Sequence, residues 1–326
     1  MTNLRRFAVL LALPIATWAA DPALLKLVMP DAKVIAGIQV SQTKNSLFGQ
    51  YILSHMQVDD AGFKSFIAQT GFDPRRDVSE IMIASNWESD TAASRWLVMA
   101  RGTFDLGKIA SAAQGSGVRT SSFEGVNILI HSGTAKPDVE NAIAFFDGTS
   151  AVMGDLASVQ AAIGRQKSGA APSNQLLAKV TDLSSKNDFW FATLVPVSEF
   201  AGAMPDPNLS GAMKGNLLAA INEASGGIRF GDTVNISAEA ITRSEKDAQA
   251  LVDVVKFVAG MVQLNRQNNA AAGQVATLLD SLDCKAAGNV TTISVGIPEV
   301  QLEQMIDMMR QQSHEAHKKP ASPQGN

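Results

Sequence analysis

The sequence predicts an α+β protein made of two diverged copies of one plan, each an antiparallel sheet covered by helices on one face. Three observations lead there. Strand-like segments come in consecutive runs, helical segments of 3.6-residue period stand between the runs, and the element order repeats on either side of a small, turn-forming stretch at Lys167–Ser173. Consecutive strands exclude a doubly wound parallel sheet, which alternates strand and helix strictly.

Each half opens with an apolar strand that runs into a helix start: Val34–Val40 before Ser41, and Phe189–Val195 before Pro196 and Ser198. A helix stopped by glycine follows. Phe63–Thr70 ends at Gly71, and Leu217–Ser225 is expected to end at Gly226-Gly227, because glycine supplies the left-handed residue that terminates a helix. Strand pairs come next. Val78–Trp87 and Arg95–Gly102 flank a polar turn, while Ile228–Phe230 and Val234–Ala240 flank Gly231-Asp232 with period-2 alternation.

Asp105 precedes a helix over Leu106–Gln114, and Ser244-Glu245-Lys246-Asp247 is a variant capping box. That box opens a helix with Leu251, Val254, Val255, Val258, Met261 and Val262 on one side. The first half closes with strands Val126–His131, Ala142–Phe146 and Ala151–Gly154 and a helix to Gln166. The second closes with Val290–Ile297, then Pro298 and a helix over Glu299–Gln312. Met305, Met308 and Met309 fall at helical spacing there and read as adaptable core.

The first twenty residues read as an export signal. Arg5 and Arg6 precede an apolar run from Phe7, followed by small residues and a cleavage point after Ala19 or Ala20. The run is shorter than the roughly 20 residues a spanning helix needs. The expected division is therefore 1–20 signal peptide, 21–166 first half, 167–173 linker, 174–313 second half and 314–326 disordered tail. The expected location is periplasmic or secreted, with no integral membrane span after signal removal.

Of the 27 Lys and Arg residues, two lie in the signal; against 31 Asp and Glu, the mature charge is 25 − 31 = −6. A mildly acidic chain without a basic block argues against nucleic acid as a partner. The single cysteine, Cys284, excludes an internal disulfide and reads as a small buried hydrophobe beside a strand.

Reactive groups are sparse. His314 and His317 stand three apart with only Glu315 beside them, short of a zinc ligand set, and His55 and His131 have no motif around them. Nucleophile-elbow, P-loop and zincin motifs are absent. Asp59-Asp60 and the Asp280/Asp283 pair read as caps and solvated helix-end acids. Arg75 and Arg76 are the one anion-binding candidate, although Asp73 and Asp77 flank and neutralise them. No catalytic residue, metal or cofactor is expected.

The core Thr70-Gly71-Phe72-Asp73-Pro74-Arg75-Arg76-Asp77-Val78-Ser79-Glu80-Ile81, with Met29-Pro30-Asp31-Ala32-Lys33-Val34 upstream, resembles exported bacterial α+β proteins of unknown function. The resemblance implies an envelope or secreted protein and brings no catalytic residues. The functional expectation is a non-enzymatic binding or envelope-structural protein whose partner is an unknown protein or an apolar small molecule. One alternative is a carrier of an apolar ligand held between sheet and helices, which predicts a cavity of roughly 300 Å³ or more lined by Phe, Met and Leu. The other is a hydrolase assembled from distant residues, which requires His131 or His55 to meet a Ser and an acid in space.

Overall fold

The computed structural model describes residues 19–55, 61–88, 94–114, 118–132, 140–203, 217–266 and 270–318. Residues 1–18 of the expected signal segment and the Asp59-Asp60 pair lie outside them. The elements of the first half are α1 (Pro22–Leu25), β1 (Val34–Ile38), α2 (Val40–Asn45), α3 (Leu47–His55), α4 (Ala61–Thr70), α5 (Pro74–Asp77), β2 (Val78–Ser85), β3 (Trp96–Gly102), α6 (Leu106–Ala113), β4 (Arg119–Phe123), β5 (Val126–Ser132), β6 (Glu140–Phe145), β7 (Ser150–Asp155) and α7 (Leu156–Ser168). The second half holds α8 (Leu177–Lys186), β8 (Phe189–Thr193), β9 (Ile221–Arg229), β10 (Thr233–Thr242), α9 (Glu245–Leu264), α10 (Ala270–Leu278), β11 (Asp283–Ala287), β12 (Val290–Pro298) and α11 (Glu299–Lys318), with short 3₁₀ turns between some of them.

The α+β class stands, but the strands form one sheet where two were expected. Twelve strands run in the order β11-β12-β10-β9-β8-β1-β2-β3-β7-β6-β5-β4, every pairing antiparallel. The two halves join where β1 pairs with β8, Gly37 opposite Trp190. A strand with free backbone groups on both edges is best satisfied by neighbours on both sides, and an edge-to-edge junction achieves this for both opening strands at once.

Coverage on one face alone needs correction for the first half, where α4 and α6 lie over the face opposite α7. On one face of the first half, Met82, Leu97, Met99 and Ile128 are fully buried with Val159 and Ile163 of α7, Val180 of α8, and Leu24 and Leu27 of the N-terminal segment. On the opposite face α3 and α11 cover Val234, Ile236 and Ile297, and α9 bonds to the sheet through Thr291 Oγ1, which donates to the Ala248 carbonyl. Helices therefore flank both faces. The reason is compositional: Trp96–Ala100 is apolar at every position, so β3 must be covered twice. In the second half Asn235, Ser237, Thr292 and Ser294 leave the first face polar and exposed.

The expected helix over Leu217–Ser225 is instead the strand β9, preceded by a 3₁₀ turn at Leu218–Ala220. Gly226 and Gly227 stop no helix. A Cβ on Gly227 would lie 2.3 Å from the Asn187 side chain, and one on Gly226 would lie 2.5 Å from the Ser237 carbonyl oxygen. They are glycines of close approach, the second common use of the residue in strands. The run at 314–318, expected as tail, continues α11. Gly71 does end α4 as expected, with φ at +67°.

Residues 20–32 are bound into the core ahead of the first strand. Ala20, Leu24, Leu27, Val28, Met29 and Ala32 are all buried. The Arg165 guanidinium donates to the Leu27 carbonyl from Nη2 at 2.8 Å, and Asn174 Nδ2 reaches the carbonyls of Met29, Pro30 and Ala32.

Candidate functional site

Strand register sets two apolar rows on the second face of the first half. Ile83, Val98, Met153, Ile143 and Leu129 stand directly opposite one another across five strands. Ile81, Ala100, Ala151 and Phe145 form the row beside it. Helices α4 and α6 close over these rows without filling the space between. A cavity of about 700 Å³ remains, with Val98, Ile143 and Met153 in its floor and Phe72, Ile109 and Ala113 in its wall. That volume lies within the roughly 300–1,000 Å³ of small-molecule sites, as does the mostly apolar lining with few polar groups.

Local chemistry explains the wall. The turn at Gly71 swings Phe72 out of α4 and over the sheet, where Thr70 Oγ1 accepts a hydrogen bond from the Phe72 amide at 3.1 Å. The Phe72 ring lies 5.4 Å from Phe104, which lies 5.2 Å from Phe145 at a tilt of 60°. Such tilted pairs are favoured by the ring quadrupoles. Gly102 lets the chain pass closely beneath this wall, since a Cβ there would meet the Asp77 carbonyl oxygen at 2.4 Å. Asp105 caps α6 by accepting from the Lys108 amide at 3.0 Å, which fixes the helix that carries Ile109 and Ala113.

Polar groups of the lining are Gln69, Thr70, His131 and Asn141. His131 is exposed and stands opposite Asn141 in the β5–β6 register, one step along the strands from the apolar row. The described lining includes no Ser, Cys, Asp, Glu or Lys, and the Thr70 hydroxyl in it accepts from the Phe72 amide. This wall can hold an apolar body and offer a few hydrogen-bonding groups to a polar end. The other concavities are lined largely by polar and charged side chains, such as Lys179 with Glu239 and Glu245 with Asp253.

The arginine pair sits apart from the cavity floor and is engaged locally. Arg75 Nε and Nη2 donate to the two Asp73 carboxylate oxygens at 2.9 and 2.7 Å. Arg76 donates to both oxygens of Asp77 at 2.6 and 2.7 Å and to the Gly71 carbonyl at 2.8 Å. These guanidiniums hold the carboxyls of Asp73 and Asp77 below the usual range. Asp73 also caps α5 through the Arg75 amide. The motif builds a rigid turn before β2.

The remaining candidates stay dispersed. Cys284 is buried in β11, and burial pushes its thiol up. Asp280 accepts from Gln263, and Asp283 pairs with Lys285 at 2.6 Å. His55 ends α3, while His314 and His317 lie on the last turns of α11. Among the described residues no three His, Cys, Asp or Glu side chains converge on a metal position, and no helix is long and apolar enough to cross a membrane.

The aromatic wall was not singled out from sequence. Its one signal is the lack of alternation in Trp96–Ala100, where a strand apolar on both faces demands cover on both.

No known family profile matches this chain, and no curated protein matches it. Among solved structures, crystal form I of TP0453 is similar over 88% of this chain and 97% of that one, at 9% identity and a TM-score of 0.49. Such a likeness bears no functional argument.

Proposed function

We propose that this is an exported, non-enzymatic binding protein of the bacterial envelope, periplasmic or secreted, which carries an apolar or amphiphilic small molecule in the first half. The observation that carries the reading is the cavity of about 700 Å³ between the apolar rows of β3, β7, β6 and β5 and the helices α4 and α6. An exposed apolar concavity of this size marks a ligand-binding groove, and its floor fits a ligand's apolar body. The His131–Asn141 rim suits the polar end of an amphiphile. The export signature and the resemblance of the Thr70–Ile81 segment to exported bacterial proteins supply the location.

The reading includes descent of both halves from one plan. What supports it is the shared strand path: β1-β2-β3-β7-β6 in one half and β8-β9-β10-β12-β11 in the other. On this view the β4–β5 hairpin is an addition that widens the first half, and its Leu129 extends a cavity floor that β3, β7 and β6 supply.

The test is titration of the purified protein with a fluorescent long-chain fatty acid, alongside native mass spectrometry of protein taken from its source. One saturable site, displaced by unlabelled apolar competitor, is expected. Linear, non-saturable partitioning with no co-purifying molecule overturns the proposal.

A further inference from the structure

The segment entering the core at Ala20 ends in a polar seat that the carrier function does not use. Ala20 is 2% exposed, and its backbone N–H donates to Ser184 Oγ at 2.9 Å. Ser184 is fully buried and donates onward to the Thr181 carbonyl at 3.1 Å. One residue later the Asp21 amide stands 3.1 and 3.3 Å from the two carboxylate oxygens of Glu80, which is 5% exposed.

This buried carboxyl is poorly compensated. The groups facing it are the Asp21 amide, the Gln39 side chain, the Asp21 carboxylate and Arg101. Arg101 is already committed, its Nε 3.1 Å from Asp21 Oδ2. Burial pushes Glu80 up to about 7. A buried carboxylate is stable only when a cation or several donors neutralise it.

We infer that cleavage of the Ala19–Ala20 peptide bond supplies that cation: the new α-ammonium of Ala20 sits between the Ser184 hydroxyl and the Glu80 carboxylate. Hydrolysis breaks the C–N bond, water's hydroxyl joins the Ala19 carbonyl carbon, and the amine leaves with the proton and takes up another near neutrality. Covalent reach places the charge close to its partner. Adding the 3.1 Å contact to at most about 3.6 Å per residue keeps it within roughly 7 Å of Glu80.

Two facts put the cut before Ala20 and not after it. The Ala20 methyl belongs to the buried core with Leu24 and Val180, so its loss leaves Ser184 and a cavity behind. Thr17 and Ala19 also give the small-x-small pattern, whereas a cut after Ala20 puts Trp18 at the third position. Because Ala20 is buried in the folded chain, cleavage precedes folding.

The inference rests on the export reading, so its test separates the two. Two chains are made from cleavable fusions, one beginning at Ala20 with a free amine and one extended by Gly-Ser ahead of Ala20. We expect the free-amine chain to melt roughly 3–6 °C higher at pH 7. The gap should shrink toward pH 4, where Glu80 is protonated, and above pH 9, where the amine is neutral. Glu80→Gln should abolish the pH-dependent gap and leave any purely steric cost of the extension. Equal melting across this range, or a gap that persists unchanged in E80Q, overturns the seat. N-terminal sequencing of the exported protein should begin at Ala20; any other first residue overturns the processing site, and a cell-retained chain still carrying residues 1–19 overturns export itself.

Discussion

Gly37 of β1 stands directly across the junction from Trp190 of β8, and a Cβ on Gly37 would lie 2.3 Å from the indole ring. Trp190 is fully buried, packed with the core that α7 and α8 cover. The two halves thus meet through a glycine that makes room for the largest fully buried side chain. Small-for-large complementarity of this kind fixes register, because a one-residue slip would drive the indole into a neighbour with a Cβ.

Gly37→Ala should therefore destabilise the protein by about 1–3 kcal/mol, the usual range for overpacking a well-packed core. The measurement is urea unfolding followed by circular dichroism. In a Trp190→Leu background the same substitution should cost at least about 1 kcal/mol less, as coupled neighbours do. Additive effects would show that the ring is not what excludes the methyl group.

Filling the cavity separates binding from folding. Val98 lies in the cavity floor opposite Met153, away from the core on the other sheet face. Val98→Trp should reduce fatty-acid affinity at least tenfold, a loss of about 1.4 kcal/mol or more, while the melting temperature stays close to that of the parent. Unchanged affinity would place the ligand elsewhere.

Glu80 makes stability depend on pH with a definite sign. Its folded value of about 7 lies above that of an unfolded glutamate, near 4.3. The folded state therefore binds more protons between these limits, and this contribution to stability is complete below about 4 and lost as pH rises toward 7. In a chain extended beyond Ala20, where no α-ammonium reaches the site, the loss should approach about 3 kcal/mol. Subtracting the profile of the extended chain carrying E80Q from that of the extended chain isolates it from the other carboxylates. A flat difference would remove the burial argument.

How much of this was legible in sequence depends on whether a residue's role is local. The Asp105 and Ser244 caps, the Gly71 stop and the period-2 strands could be read because each acts within a few residues. Cys284 is buried as its composition suggested. Gly226-Gly227 misled because glycine serves both helix ends and close approach, and only Asn187 and Ser237 across the sheet decide which. The core role of residues 20–32 was hidden as well, since no periodic element announces it; its partners Arg165, Asn174 and Ser184 lie more than 130 residues away. The cavity is the extreme case. Its floor needs the register of four strands, and its wall needs three phenylalanines brought together from the turn after α4, the turn before α6 and β6.

The arginine turn offers a last prediction that sets local geometry against ligand binding. Asp73 accepts from the Arg75 amide at 3.0 Å and holds the Arg75 guanidinium at two points. Asp73→Ala removes the cap and should cost about 1 kcal/mol, read as a lower melting temperature. The turn also delivers Phe72 into the cavity wall, so the same variant should weaken fatty-acid binding, whereas Arg75→Ala, which keeps the cap, should weaken it much less. Inorganic phosphate at millimolar concentration should raise the melting temperature of the parent no more than that of a double Arg75→Ala, Arg76→Ala variant, since both guanidiniums already hold carboxylates of their own chain. A phosphate-specific rise in the parent alone would mean that an anion competes successfully with Asp73 and Asp77, and the turn would then be a binding site in its own right.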